Sequence, residues 1–193
     1  MAYVTTGFSL PYVALYSNPS GTNVFSSGKK LGRGVSVSVD ADVIDDNNFY
    51  ADNILAETET GAVSGGTLTL TVDGLDPTVR RLIFGLPAAN TSTGWAAVGD
   101  EATVPYCGVG FLRRAMNNGT TYWFACVFPK VKFHFNDENA ETQEEQIDWQ
   151  TTELEATFMR DDTSNHNWKY VNDTAFSSES AAEAALKTFL SIT

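Results

Sequence analysis

Histidine and cysteine are nearly absent from this chain, with two of each in 193 residues. Zinc and nucleophilic chemistry need several such side chains at fixed spacing, so their usual carriers are missing. No GxSxG, HExxH, GxGxxG, P-loop or CxxC pattern occurs either, which leaves motif-borne acyl transfer, metalloprotease and nucleotide chemistry without candidates. Nothing approaches eighteen consecutive apolar residues, so no membrane-spanning helix is expected. Residues 1–10 hold neither a basic stretch nor an unbroken apolar run, and no secretory signal is expected there. Cys107 and Cys126 lie in apolar runs and are expected as buried, reduced thiols. The sequons at Asn90, Asn118 and Asn172 then carry no glycan.

Positive charge is also scarce. Lys and Arg number 12 against 24 Asp and Glu, for a formal net charge of −12. The charges are segregated: residues 40–59 hold seven carboxylates and residues 137–148 hold six, neither segment with a Lys or Arg. Between them, residues 77–135 carry Arg80, Arg81, Arg113, Arg114, Lys130 and Lys132 against only Asp100 and Glu101. Such segregation suits contact between unlike patches on copies of one chain, or the handling of a polyanion.

What the chain does have is alternation. Residues 34–40 read GVSVSVD and residues 67–73 read TLTLTVD, the period of half-buried strands. Val35, Val37 and Val39, joined by Leu68, Leu70 and Val72, are the expected core side. Ser36, Ser38, Asp40, Thr67, Thr69, Thr71 and Asp73 form the opposite side, all short, polar and without a cation. Asp76, Pro77 and Gly85 frame a short helix that turns Val79, Leu82 and Ile83 inward. Strands are expected at 106–115 and 121–128 around an Asn118-Gly119 turn, continuing through Val131, Phe133 and Phe135. Residues 153–160 follow as a strand with Leu154, Ala156 and Phe158 on one side. A capping box from Ser180 to Glu183 opens a C-terminal amphipathic helix with Ala185, Leu186, Phe189 and Leu190 as its core side.

The fold class is therefore mainly β: an antiparallel sandwich or barrel with one short internal and one C-terminal helix, in a single domain of residues 1–193. A chain of this length buries roughly 70% of its unfolded surface. Residues 41–66 and 137–148 are expected as long loops, and Phe49, Tyr50 and Ile54 in the first have no evident core to join.

Each candidate site has a bland structural explanation. His134 alternates with core residues and His166 sits in a polar loop, so neither suggests catalysis. Glu153 and Glu155 could serve as a glycosidase acid and base, but paired carboxylates on one side of a strand commonly face solvent. Asp40, Asp42, Asp45 and Asp46 have a calcium loop's composition without its spacing. The chain is not expected to be an enzyme, and neither a metal nor another cofactor is implied. The pairs Arg80-Arg81 and Arg113-Arg114 form no basic stripe of the kind that grips nucleic acid.

The ordered set VSVSVD (35–40), FYADN (49–53), GGTLTLTVDGLDP (65–77), PYCGVGFLRR (105–114), FPKVKF (128–133), Glu141-Thr142 and TELEATFMRDD (152–162) resembles the phi-thirteen-type major tail proteins of long-tailed bacteriophages. The likeness spans residues 10–190, with departures at the N-terminus, at 87–105 and at 163–167. It implies the tail tube fold, a β-sandwich with a flanking helix, and hexameric rings stacked into the hollow tube that conducts DNA out of the capsid. It further implies a place in the virion tail, assembly in the host cytoplasm, and partnership with tail tip, tape measure and terminator proteins. A conduit must pass double-stranded DNA without holding it, because each cation on a phosphate adds counterion-release attraction. Ser36, Ser38, Asp40, Thr67, Thr69, Thr71 and Asp73 are accordingly the expected lumen lining. Asp45, Asp46, Phe49, Tyr50 and Ile54 are the expected assembly loop, and Arg80, Arg81, Arg113, Arg114, Glu144 and Glu145 the candidate charges between subunits. The competing readings are a monomeric β-sandwich adhesin or carbohydrate-binding module, with a discrete aromatic platform, and, more remotely, a two-carboxylate enzyme.

Overall fold

A computed structural model describes residues 2–100, 102–135 and 150–192. In chain order its elements are β1 (Val4–Ser17), a 3₁₀ turn (Pro19–Gly21), β2 (Val24–Lys30), β3 (Gly34–Val43), β4 (Asn47–Ala51), β5 (Ile54–Glu59) and β6 (Val63–Val72). After these come α1 (Pro77–Phe84), β7 (Cys107–Asn117), β8 (Thr120–Phe133), β9 (Thr152–Met159), β10 (Tyr170–Val171) and α2 (Glu179–Phe189). The main sheet runs β2-β1-β7-β8-β9-β6-β3 with β10 paired to β8, while β4 and β5 form a separate two-stranded sheet. All pairings are antiparallel, and the architecture is the expected β-sandwich with helices.

Strand β8 divides the sheet. Its first half pairs with β10 through Val127 and Cys126, and its second half pairs with β9 from Lys130 to Phe133. The β9-β6-β3 layer folds back over β1 and β7, so that a Cβ built on Gly34 in β3 would strike the Phe8 ring of β1. Between the layers lie Val13, Leu68, Leu70, Val109, Phe128, Val131, Phe133, Leu154 and Phe158. Burying each such side chain fully contributes about 1.5–3 kcal/mol. Helix α1 joins this core with Val79, Ile83 and Phe84. Asp76 caps it by accepting from Thr78 N at 2.7 Å, and left-handed Gly85 ends it.

A second core lies on the other side of β1, β7 and β8, beneath α2. Ala182, Leu186 and Leu190, spaced one turn apart, point into it with Tyr12, Phe25, Leu112 and Val127. Because β7 and β8 have a core on each side, both read as near-continuous apolar runs. The helix can lie this close because β7 carries glycine beneath it: a Cβ on Gly110 would sit 2.5 Å from Leu186 Cδ1 and 3.0 Å from Leu190 Cδ1. Gly110→Val should therefore push α2 off its seat and cost about 1–3 kcal/mol in urea unfolding, the range for overpacked cores.

Several expectations are corrected. Val35 and Val39 are 56% and 38% exposed, and of that trio only Val37 packs on the core, because β3 is the last strand of the sheet and overhangs the layer opposite. Helix α2 starts before Ser180, capped by Ser178, whose Oγ accepts from Ala181 N at 3.3 Å. Its inward side uses Ala182, with Phe189 at the rim, 39% exposed. Phe135 lies past the end of β8 and is 56% exposed, stacked on Phe84. Residues 41–66 are largely strand: β3 and β6 extend into the segment and the β4–β5 hairpin fills its middle. Asp52 and Asn53, both with positive φ, turn that hairpin, as Asn118 and Gly119 turn β7 into β8. The expected loop at 137–148 lies outside the described residues.

Candidate functional site

The cross-strand register assembles the polar residues into one surface. Ser36 lies beside Thr71 and Thr71 beside Glu153; Ser38 beside Thr69 and Thr69 beside Glu155; Asp40 beside Thr67 and Thr67 beside Thr157. Directly opposed residues in antiparallel strands share a face, so these three rows across β3, β6 and β9 contain only Ser, Thr, Asp and Glu. Ser36 hydroxyl donates to Thr71 Oγ1 at 2.9 Å. The face stays outside because Leu68, Leu70, Val72, Leu154, Ala156 and Phe158 point inward from the alternate positions of β6 and β9.

Sequence reasoning brought six lining candidates together and missed the third column. Glu153 and Glu155 flank core Leu154, a signal already in TELEATF, but only the β6–β9 register sets them beside Thr71 and Thr69. Asp73 lies past the end of β6, where the Arg33 side chain and backbone amide both donate to its carboxylate, the amide at 2.7 Å. Those hydrogen bonds hold the Asp73 carboxyl below the usual range. A cation therefore stands at that end of the face.

Cations also mark the opposite margin. Lys132 lies beside Thr157 and Lys130 beside Met159. Lys130 Nζ reaches both Asp162 carboxylate oxygens at 2.7 and 2.8 Å and stands 4.9 Å from the Tyr106 ring centroid; Lys132 Nζ stands 5.6 Å from the same ring. The ammonium of Lys130 holds the Asp162 carboxyl below its ordinary value. His134 is tied between Glu155 Oε1 at 3.2 Å and Thr157 Oγ1 at 2.9 Å. The cations on this margin are thus held by acidic and aromatic neighbours rather than presented to solution alone.

Behind Lys130 lies a polar hub. Asp161, 2% exposed, accepts from Asn23 Nδ2 at 2.7 Å, Tyr170 hydroxyl at 2.8 Å, Thr163 hydroxyl at 2.6 Å and Asn167 N at 2.9 Å. Burial opposes its ionisation, but these hydrogen bonds outweigh it and the carboxyl sits below the usual range. The hub pins the loop after β9 to β10 and to the turn before β2.

The assembly candidates stand apart from this face. Phe49, Tyr50 and Ile54 are 62%, 62% and 70% exposed on the β4–β5 hairpin, and Leu55 joins them at 49%. Asp45 and Asp46 are exposed at its base, where Asp46 accepts from Gly61 N at 3.0 Å. Arg80 is exposed and Arg81 half-buried on α1; Arg114 is exposed on β7, and Arg113 half-buried with its guanidinium 5.7 Å from the Phe124 ring centroid. Glu144 and Glu145 lie outside the described residues. Both cysteines are buried and free, and burial pushes the Cys107 thiol up to about 12. Among the described residues no three His, Cys, Asp or Glu side chains group to hold a metal. A cavity of about 340 Å³ lies between α2 and β8, lined by Val127, Tyr170, Leu186 and Phe189 among others. No protein-family model and no curated protein matches the chain.

Proposed function

We propose that this chain is a structural subunit of a bacteriophage tail tube, forming hexameric rings that stack into a conduit for double-stranded DNA in the virion tail. The observation that carries this reading is the three-column face of Ser, Thr, Asp and Glu across β3, β6 and β9. Those three columns offer DNA phosphates no attractive partner, and the cations at their margins, Arg33, Lys130 and Lys132, are held by Asp73, Asp162 and the Tyr106 ring, so the duplex meets few sticking points as it slides. The fold supports ring building as well. The face ends at β3, whose far edge has no partner strand among the described residues, and an unpaired edge is a template for a strand from another copy. Tail tip, tape measure and terminator proteins are the further partners of such a tube, which would assemble in the host cytoplasm.

Electron microscopy of the purified protein at high concentration should show rings or tubes with a central hole. Uniform monomers across salt and concentration would sink the proposal and favour the monomeric adhesin reading. The lining itself has a separate check. Ser38→Lys combined with Thr69→Lys puts two ammonium groups per subunit on the face, and DNA ejection from assembled virions should slow measurably, more so at low salt. An unchanged ejection rate removes these strands from the lumen.

A further inference from the structure

The β4–β5 hairpin carries four exposed apolar side chains, Phe49, Tyr50, Ile54 and Leu55, with no core of its own. Around them stand Asp45, Asp46, Asp52, Glu57 and Glu59, with no Lys or Arg between residues 35 and 74. None of the five carboxylates has a cation within 4 Å among the described residues. Exposed apolar area of this kind on a two-stranded ribbon is costly unless something covers it.

The complementary chemistry occurs at one end of the β1–β7–β8 layer. Tyr3, 45% exposed, packs edge-on against Tyr122 and Phe124, with ring centroids 5.4 and 5.1 Å apart. Arg113 lies over Phe124 in the same patch, and its Nε is the one buried side-chain nitrogen or oxygen without a hydrogen-bond partner among the described residues. The Arg113 guanidinium also has no acid partner among the described residues, which leaves its charge for an incoming carboxylate to pair. Arg114 follows on the opposite side of the strand, also without an acid partner among the described residues. Neither β7 nor β8 contains a carboxylate. An aromatic and basic patch free of acid is the match for an apolar and acidic ribbon free of base.

We infer that the β4–β5 hairpin of one copy docks on the Tyr3–Tyr122–Phe124–Arg113 patch of a second copy. Tyr50 and Leu55, register partners on one side of the ribbon, lie against the aromatic rings, and the hairpin carboxylates stand near the Arg113 guanidinium. The contact joins two different surfaces, so each copy keeps one free hairpin and one free patch, and association continues until a ring closes or a chain of copies grows. This specifies how copies meet within the tail tube reading, but needs only self-association.

Single-cysteine variants test it. Tyr50→Cys and Tyr3→Cys proteins are mixed, oxidised and resolved without reductant; the native thiols are buried and do not compete. The mixture should yield an intermolecular disulfide roughly tenfold faster than Tyr50→Cys mixed with Thr91→Cys, and adding Glu57→Lys with Glu59→Lys to the hairpin partner should remove that advantage. Equal rates with the Thr91 control, a faster reaction of Tyr50→Cys with itself, or insensitivity to the charge reversal overturns the docking. Rings seen by microscopy without this crosslink would sink the docking and leave the tube reading standing. The crosslink without rings would do the reverse.

Discussion

Asp161→Ala is expected to lower unfolding free energy by about 3–5 kcal/mol, because several donors lose a shared acceptor and each buried donor left unpaired costs about 1–3 kcal/mol. The four donors come from three places in the chain: Asn23 before β2, Thr163 and Asn167 in the loop after β9, and Tyr170 in β10. Loss of the carboxylate should therefore release the loop and β10 together. It should also loosen Lys130, whose partner Asp162 is the next residue. The hub makes acid sensitivity predictable. A carboxyl whose folded pKa is depressed contributes stability above its unfolded value, near 4, and that contribution is lost as pH falls through the folded value. The wild type should lose stability below about pH 4, while Asp161→Ala should show a smaller loss over the same window. Urea unfolding at pH 7 and pH 3 measures both. Equal stability of the two proteins at pH 7 would remove Asp161 from the role given to it.

The second large effect concerns assembly rather than folding. Val43 and Val63 are register partners at the ends of β3 and β6, and Ile44 N donates to Ala62 O at 3.1 Å just beyond them. Residues 44–62 can thus be replaced by Asn-Gly, a two-residue turn that closes antiparallel strands without strain. The hairpin contributes nothing to either buried core, so the shortened protein should melt within a few degrees of the wild type. Its self-association should fall below detection in sedimentation velocity, because the four apolar anchors and five carboxylates are gone. Tubes of normal appearance from the shortened protein would eliminate the hairpin as an assembly element.

The alternating strands could be read from sequence because one side of each is buried, and burial imposes the period of two. Leu68, Leu70 and Val72 obey it in full. Val35 and Val39 do not, since a terminal strand has apolar neighbours on one flank only and nothing need lie above its ends. Helix α1 was legible from Asp76, Pro77 and Gly85, residues that act on their own backbone. The start of α2 was less so: Ser178 and Ser180 both suit a cap, and it is Ser178 whose Oγ accepts from Ala181 N. Two of the three columns of the polar face were visible as alternating Ser, Thr and Asp. Its third column was not, because Glu153 and Thr71 are brought together only by the pairing of β6 with β9. The hairpin is not legible as strand because Phe49, Tyr50 and Ile54 lack alternation with a buried side; their register partners Glu57, Leu55 and Ala51 are exposed as well.

Pairing in the main sheet joins residues far apart in the chain, Thr5 with Ala115 and Thr67 with Thr157. Strands that must close such large loops form on the millisecond-to-second scale, whereas a local hairpin such as β4–β5 forms in microseconds. The stickiest surface of the molecule is therefore ready long before the patch that could receive it exists. During that interval its five carboxylates repel those of every other newly made hairpin, and like-with-like clumping is held off until a folded neighbour supplies arginine.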